Sequence, residues 1–338
     1  MQTYQIKENE AGQRFDKFLH KFMPSAGNSF LYKMLRKKNI VLNGKKAEGK
    51  EMLSVGDTVS FYFSDETFAM FTGKNTAVDV KPYEKAYTVL KGVQVIYEDS
   101  HILIVNKPAG ILTQKAKDTD ISLNEWMIGY LLKEGKIAAK ELTTFKPSVQ
   151  NRLDRNTSGL VLCGISLQGS QLLSRLIKER SVEKYYYAIV AGHIKEAAEI
   201  KGFLTKDSAQ NKVSISVTNT GDEGSEIHTA YKPVSHGDDI TCLEVKLITG
   251  KTHQIRAHMA SIGHPLLGDA KYGGQGDKIF SKYKKGCNIS SQLLHACRVE
   301  FPRMEAPFDD ISGKTFTAPL PKQFSEVISY GNMEFPRS

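Results

Sequence analysis

The sequence predicts an α+β fold, a mixed and largely antiparallel sheet domain preceded by a small basic α/β unit. Its 338 residues, 40% of them apolar and 25% charged, suffice for about two domains with separate cores. Strand-like and helical runs follow one another at irregular spacing, not in the strict β-α succession of a parallel fold. Basic residues crowd into one short stretch near the start. No internal repeat of fixed period is visible.

The expected units are residues 11–63, a linker over 64–91 and a large domain over 92–330. In the first, Phe15, Phe18, Leu19 and Phe22 recur at i, i+3, i+4 and i+7, the stripe of an amphipathic helix. A second helix is expected from an Asn28-Ser29 cap, burying Leu31, Met34 and Leu35 and leaving Lys33, Arg36 and Lys37 to solvent. "IVLNGKKA" reads as a strand turning at Asn43-Gly44, with "GDTVSFYF" as its partner. Residues 64–91 show no sustained period, which predicts a linker with some local order. Beyond it, "VQVIYED", "HILIVNKP", "YYYAIVAG" and "TCLEVKLI" read as strands and "SLNEWMIGYLLKEG" as a helix. In "EKYYYAIVAG", Tyr185 and Tyr187 share one face and Tyr186 takes the other. In "LITGKTHQIRAHMASIGHPLLGDAKYGG", a helix opens near Thr252, buries Ile255, Met259 and Ile262, and stops at Gly263. Arg256 is expected to point away from that seam.

The net charge is +9, and residues 11–50 carry ten Lys/Arg against Asp16 and Glu48, a local excess of 10 − 2 = +8. A face built for solubility mixes signs, so this excess points to a polyanion, with Arg14, Lys17, Lys33, Arg36 and Lys37 as phosphate-backbone contacts. The start has no apolar stretch behind basic residues, and no run approaches the ~20 apolar residues of a membrane span, so neither secretion nor a membrane partner is expected. Cys163, Cys242, Cys287 and Cys297 lie far apart without a C-x-x-C pair, which fits a reducing cytoplasm better than a disulfide or zinc framework. No heptad argues for assembly, so a monomer is expected.

Three stretches carry chemistry. In "VQNRLDRNTSGLVL", Asp154 lies between Arg152 and Arg155, and a Thr-Ser-Gly turn leads into a strand. Alone, this could be a structural ion pair. The "GKT" of the second stretch is no phosphate loop, since that pattern requires glycine at Val245. His253 and His258 lack the spacing and glutamate of a zinc helix. The third stretch is the tyrosine strand, where core packing is the default.

Together, in this order and spacing, these stretches resemble the motifs of RluA-type pseudouridine synthases. "YEDSHILIVNKPAG", with Lys107, and "LLHACRVEFP" resemble further parts of that family. The basic segment is similar to the small RNA-binding module named after ribosomal protein S-four. The resemblance implies the pseudouridine synthase fold and an isomerase that converts specific uridines to pseudouridine without metal or cofactor. It makes Asp154 the catalytic carboxylate and Arg256 its cationic partner. Tyr186, 32 positions after Asp154, becomes the active-site tyrosine. It has Arg152 fill the space left by a flipped nucleotide, Arg155 meet backbone phosphate, and Asn151, Lys251, His253 and Lys107 face the RNA. Two departures stand out: Asn151 occupies the place of a usual histidine, and Lys251 that of a usual arginine. Ribosomal RNA of the large subunit is the expected substrate, transfer RNA the alternative. The rival from another class is a catalytically silent RNA-binding or ribosome-assembly protein. A hydrolase using Asp154 would need a water-positioning base, and none is evident near the motif.

Overall fold

The computed structural model describes residues 1–72, 78–207, 212–216, 225–273 and 278–334. Near the start, β1 (Gln2–Gln5), β2 (Ile40–Leu42), β3 (Lys45–Lys46) and β4 (Thr58–Phe61) form an antiparallel sheet in the order β1-β4-β2-β3. Asn43 and Gly44 both take positive φ (50° and 72°), the backbone that joins two twisted strands in a two-residue hairpin. Helices α1 (Phe15–Phe22) and α2 (Asn28–Arg36) lay Phe15, Phe18, Leu19, Leu31 and Leu35 on this sheet. Lys33, Arg36 and Lys37 remain exposed, as the periodicity predicts. Asn28 is the first helical residue rather than the cap, and Gly27 fills the cap position without a side-chain hydrogen bond.

This unit reaches past the limits 11–63. Strand β1 precedes them, and α3 (Asp65–Thr72) follows, bringing Phe68 to 5.3 Å from Phe61 and Phe71 to 4.1 Å from Phe30, ring centre to ring centre. The rest of the expected linker is not a free connection. Helix α4 (Lys81–Val89) crosses α5 (Leu123–Lys133) so closely that a Cβ on Gly129 would lie 2.3 Å from the Tyr83 carbonyl oxygen. Ala86 is fully buried there. A first-turn proline and the Tyr83/Tyr87 pair one turn apart are helix signals that an aliphatic periodicity does not register.

The large sheet contains β5 (Gln94–Glu98), β6 (Ile102–Lys107), β7 (Ser148–Val149), β8 (Ser158–Gly164), β9 (Glu183–Ala191), β10 (Ala198–Asp207), β11 (Lys212–Ser216), β12 (Ser225–His236), β13 (Ile240–Leu247), β14 (Leu294–Glu300) and β15 (Thr315–Thr317). The path runs β11-β10-β12-β13-β9-β14-β8-β6-β5, with β15 on β14 and β7 on β8. Among the described residues, every pairing is antiparallel except β8 with β14. Both faces are covered. Val161 and Cys163 of β8 turn toward α5 and α7 (Gln254–Ser261), whereas Leu160 and Leu162 turn toward α6 (Leu167–Lys178). Helices α8 (Lys278–Cys287) and α9 (Lys322–Tyr330) extend the second layer over β9 and β13. Hence β8 reads as an unbroken apolar run instead of alternating. No helix of the described residues is long and apolar enough to cross a membrane.

The parallel junction depends on one glycine. At Gly159 φ is 113°, and an added Cβ would lie 2.2 Å from the Ala296 carbonyl oxygen. Backbone cannot yield there without parting β8 from β14. We expect Gly159→Ala to lower stability by about 3 kcal/mol, through both strain and clash. Thermal melting would show it, and a midpoint within a degree of wild type would contradict this account of the junction.

Candidate active site

The loop between β7 and β8 carries Asp154, and its position is set by backbone clamps. Thr113 Oγ1 donates to the Leu153 carbonyl (2.8 Å) and accepts from the Leu153 N–H (3.1 Å). The Gly110 N–H donates to the Arg155 carbonyl at 2.9 Å. Lys107 completes the frame: fully buried, its ammonium donates to the carbonyls of Pro108, Ile111 and Arg155 at 2.8–3.1 Å. Three donors meet three acceptors, although burial pulls the pKa down to about 7 against the nearby Asp154 charge. The expectation that Lys107 faces RNA is therefore corrected, because a fully buried ammonium cannot reach a ligand. Asn151 is also committed to the backbone, accepting from the Leu162 N–H at 2.7 Å and donating to the Leu160 carbonyl at 3.4 Å. It lines the cleft, but as a brace for the turn into β8.

From the other side, α7 brings Arg256. Its helix begins after His253, which sits in the left-handed region (φ 57°). Gln254 makes that turn possible: its Oε1 accepts from the Lys251 N–H and the Thr249 hydroxyl, and its Nε2 reaches the His228 carbonyl. Residues 254–259 are all buried, so this helix lacks the expected polar side. Ile255 and Met259 are core as predicted, whereas Ile262 falls past the last turn and is 37% exposed.

Buried Arg256 bridges two carboxylates. Its Nε and Nη2 donate to Asp269 Oδ2 and Oδ1 at 2.7 and 2.9 Å, and its Nη1 donates to Asp154 Oδ2 at 2.9 Å. The Asp269 side chain is wholly enclosed, while that of Asp154 retains 24% exposure. Burial alone would raise the Asp269 pKa, but the Arg256 guanidinium and the N–H groups of Lys271 and Tyr272 hold it below the usual carboxylate range. His253 Nε2 lies 3.8 Å from Asp154 Oδ2, and its Nδ1 is 3.1 Å from the Tyr272 hydroxyl. Burial lowers the His253 pKa, despite the opposing charge of Asp154.

Tyr186 lies at the sheet centre, opposite Val245 of β13 and Ala296 of β14. Only 5% exposed, it nonetheless lines the cleft, and its pKa is raised by burial and then by the Asp154 charge. Tyr187 turns to the other face, toward α8 and α9. The cleft, about 840 Å³, is also lined by Arg152, Arg155, Lys251 and His253, and by Arg180 and Lys184, which motif reading passes over. Six of its lining residues are cations and Asp154 is the single carboxylate among them. The cleft is thus cationic around one acid, a field that favours an anionic ligand. Among the described residues no cluster of His, Cys, Asp and Glu could hold a metal ion.

Of the N-terminal basic residues, Lys17, Lys33, Arg36 and Lys37 are exposed on α1 and around α2. Arg14 is exposed too, but engaged: its guanidinium donates twice to Asp16, which also accepts from the Tyr32 hydroxyl.

Comparison with known proteins names the class. A family model described as RNA pseudouridylate synthase matches residues 101–261. Ribosomal large subunit pseudouridine synthase C of Rickettsia prowazekii is 32% identical over 80% of this chain and 85% of its own length. This chain belongs to the RNA pseudouridylate synthase family. Proteins of the same name from Vibrio vulnificus and Escherichia coli K12 are 28% and 29% identical, over 97% and 90% of this chain and 96% and 92% of theirs. In fold, the synthase is similar to human RNA pseudouridylate synthase domain containing 4, with a TM-score of 0.58 at 20% identity over 76% of this chain and 98% of that one.

Asp269 is a further residue of this synthase that motif reading misses. Its only signal is the Gly-Asp of "PLLGDAKYGG", where Gly268 has a φ of 83° and a Cβ would lie 2.2 Å from the Ser291 carbonyl oxygen. We expect Asp269→Asn to cost about 3 kcal/mol, the scale of breaking a buried pair. The sign follows from its depressed pKa: the carboxylate stabilises the fold above the unfolded value near 3.8 and that contribution fades as pH falls through the lower folded value. The stability gap between wild type and variant should be full at pH 7 and shrink below pH ~4. Denaturant melts across pH would test this, and a gap independent of pH would refute it.

Proposed function

We propose that this synthase isomerises specific uridines of large-subunit ribosomal RNA, with Asp154 as the reacting carboxylate. The observation that carries this reading is the lone Asp154 carboxylate, held by Arg256 in a cleft whose other charged lining residues are cations. The names of the relatives support the ribosomal substrate. In the reaction the bond from C1′ to N1 of uracil breaks, the ring turns, and C1′ joins C5. The proton leaves C5 and N1 gains one, so the balance needs no redox partner, metal or nucleotide. Asp154 then acts as nucleophile or as the negative charge facing the transition state. Arg256 orients it through a charge-assisted hydrogen bond.

Tyr186 is the stacking surface for the extruded uracil. Its raised pKa keeps the hydroxyl protonated, which suits a hydrogen-bond donor better than a general base. Exposed Arg152 fills the gap in the RNA stack, while Arg155 and Lys251 hold phosphate. The N-terminal unit supplies sequence-independent affinity through Lys17, Lys33, Arg36 and Lys37, offsetting the few kcal/mol that base flipping costs. The same reading takes the protein to be a cytoplasmic monomer.

Two variants test the assignment. Asp154→Asn should abolish pseudouridine formation while RNA binding survives. Tyr186→Phe should slow turnover by about 10²-fold. Carbodiimide mapping of ribosomal and transfer RNA from a deletion strain and its parent would identify the target. Full activity of the Asn variant would overturn the role of Asp154, and loss of pseudouridine from transfer RNA alone would move the substrate.

A further inference from the structure

One wall of the cleft carries cations that the isomerisation does not require. Arg180 and Lys184 line it, yet neither side chain has a hydrogen bond or an ion pair with any described residue. Lys184 is two positions before Tyr186 on β9 and faces the same side. Burial lowers its pKa, and Arg180 adds like-charge repulsion. An anion arriving there would relieve that repulsion.

Arg180 is also held in an unusual backbone. Helix α6 ends with the Ser181 N–H on the Leu176 carbonyl and the Arg180 N–H on the Ile177 carbonyl. The position between is left-handed, where glycine is favoured, and here Arg180 occupies it at a φ of 60°. The chain accepts that strain and directs a guanidinium to the cleft wall.

The cleft does not stop at this wall. Gln150 lines both it and a second, open groove along α6 of about 580 Å³, whose walls include Ser174, Arg175, Lys178 and one acid, Glu179. At its far end Gln171 donates to the Gly12 carbonyl at 2.9 Å, and Asn9 Oδ1 accepts from the Leu167 N–H at 3.3 Å. The groove therefore leads from the reacting carboxylate to the basic N-terminal unit.

We propose that the RNA strand next to the flipped uridine leaves the cleft over Arg180 and Lys184 and follows the exposed face of α6 toward the N-terminal unit, its phosphates on Arg175 and Lys178. This rests on the RNA reading above and adds the path. It explains how one ligand engages both units at once, so that affinity gained at the first can drive extrusion at the second.

The test measures filter retention of large-subunit ribosomal RNA transcribed without modification, at several salt concentrations, together with its isomerisation. Arg180→Gln and the pair Arg175→Gln/Lys178→Gln should each weaken binding, by roughly three- to tenfold, and lower the log–log salt slope by roughly 0.7–0.9 per contact removed. Lys195→Gln, beyond the opposite end of β9, serves as the control and should leave both unchanged. Wild-type binding without isomerisation would remove the functional reading while the slopes still report the path. If the α6 variants melt earlier but bind with wild-type affinity and slope, Arg175 and Lys178 merely offset the helix dipole and the path is wrong.

Discussion

Arg256 joins two carboxylates of different surroundings, and the site is organised around that fork. Asp269, sealed in the core, takes two of its N–H groups in the planar bidentate geometry that only a guanidinium offers. The third reaches Asp154 at the cleft floor. Because removing a buried charge partner costs several kcal/mol, Asp269 leaves Arg256 one low-energy orientation. The acid that faces the cleft is thus positioned from behind, by an acid sealed away from it. Lysine at 256 would neutralise one carboxylate but could not span both in a fixed plane.

The scaffold around this fork is a set of close backbone approaches. The loop bearing Asp154 hangs from Lys107, Gly110 and Thr113, at the end of β6 and in the segment that follows it. The strand that follows it, β8, enters the sheet through Gly159 and there pairs parallel to β14. Helix α7 is turned into place by Gln254, which reaches back to its own approach loop and across to β12. Each clamp uses main-chain groups, whose buried hydrogen bonds cannot be left unmade without cost. Polar side chains such as Lys107 and Gln254 are therefore interior for structural reasons, and the chemistry is confined to the few groups left facing the cleft.

Electrostatics divides the molecule in the same way. Cations line the cleft, spread along α6 and crowd α1 and α2 of the small unit, whereas Asp269 is enclosed and Asp154 is matched by Arg256. Such a surface attracts a polyanion at long range, and within the cleft the positive field surrounds one negative group. Placing a carboxylate against incoming phosphate is unfavourable unless a cation holds it, and Arg256 is the group that does so.

Residue spacing marks much of this without a structure. The trio Asp154, Tyr186 and Arg256 is named by the family resemblance, whereas the two basic helices, the Asn43-Gly44 hairpin and the opposed faces of Tyr186 and Tyr187 follow from local periodicity and turn chemistry. These are properties of neighbouring residues, so the chain itself determines them. The assignments that failed share another cause. Lys107 resembles a ligand contact until its three carbonyl partners, from two separated segments, are in place. Asp269 lies 115 positions from Asp154, α4 belongs to the core only because α5 receives it, and Arg180 and Lys184 become one cationic wall only where the end of α6 meets the start of β9. Burial and pairing across long separations arise when the sheet closes, and the folded structure alone decides which charges remain free for RNA.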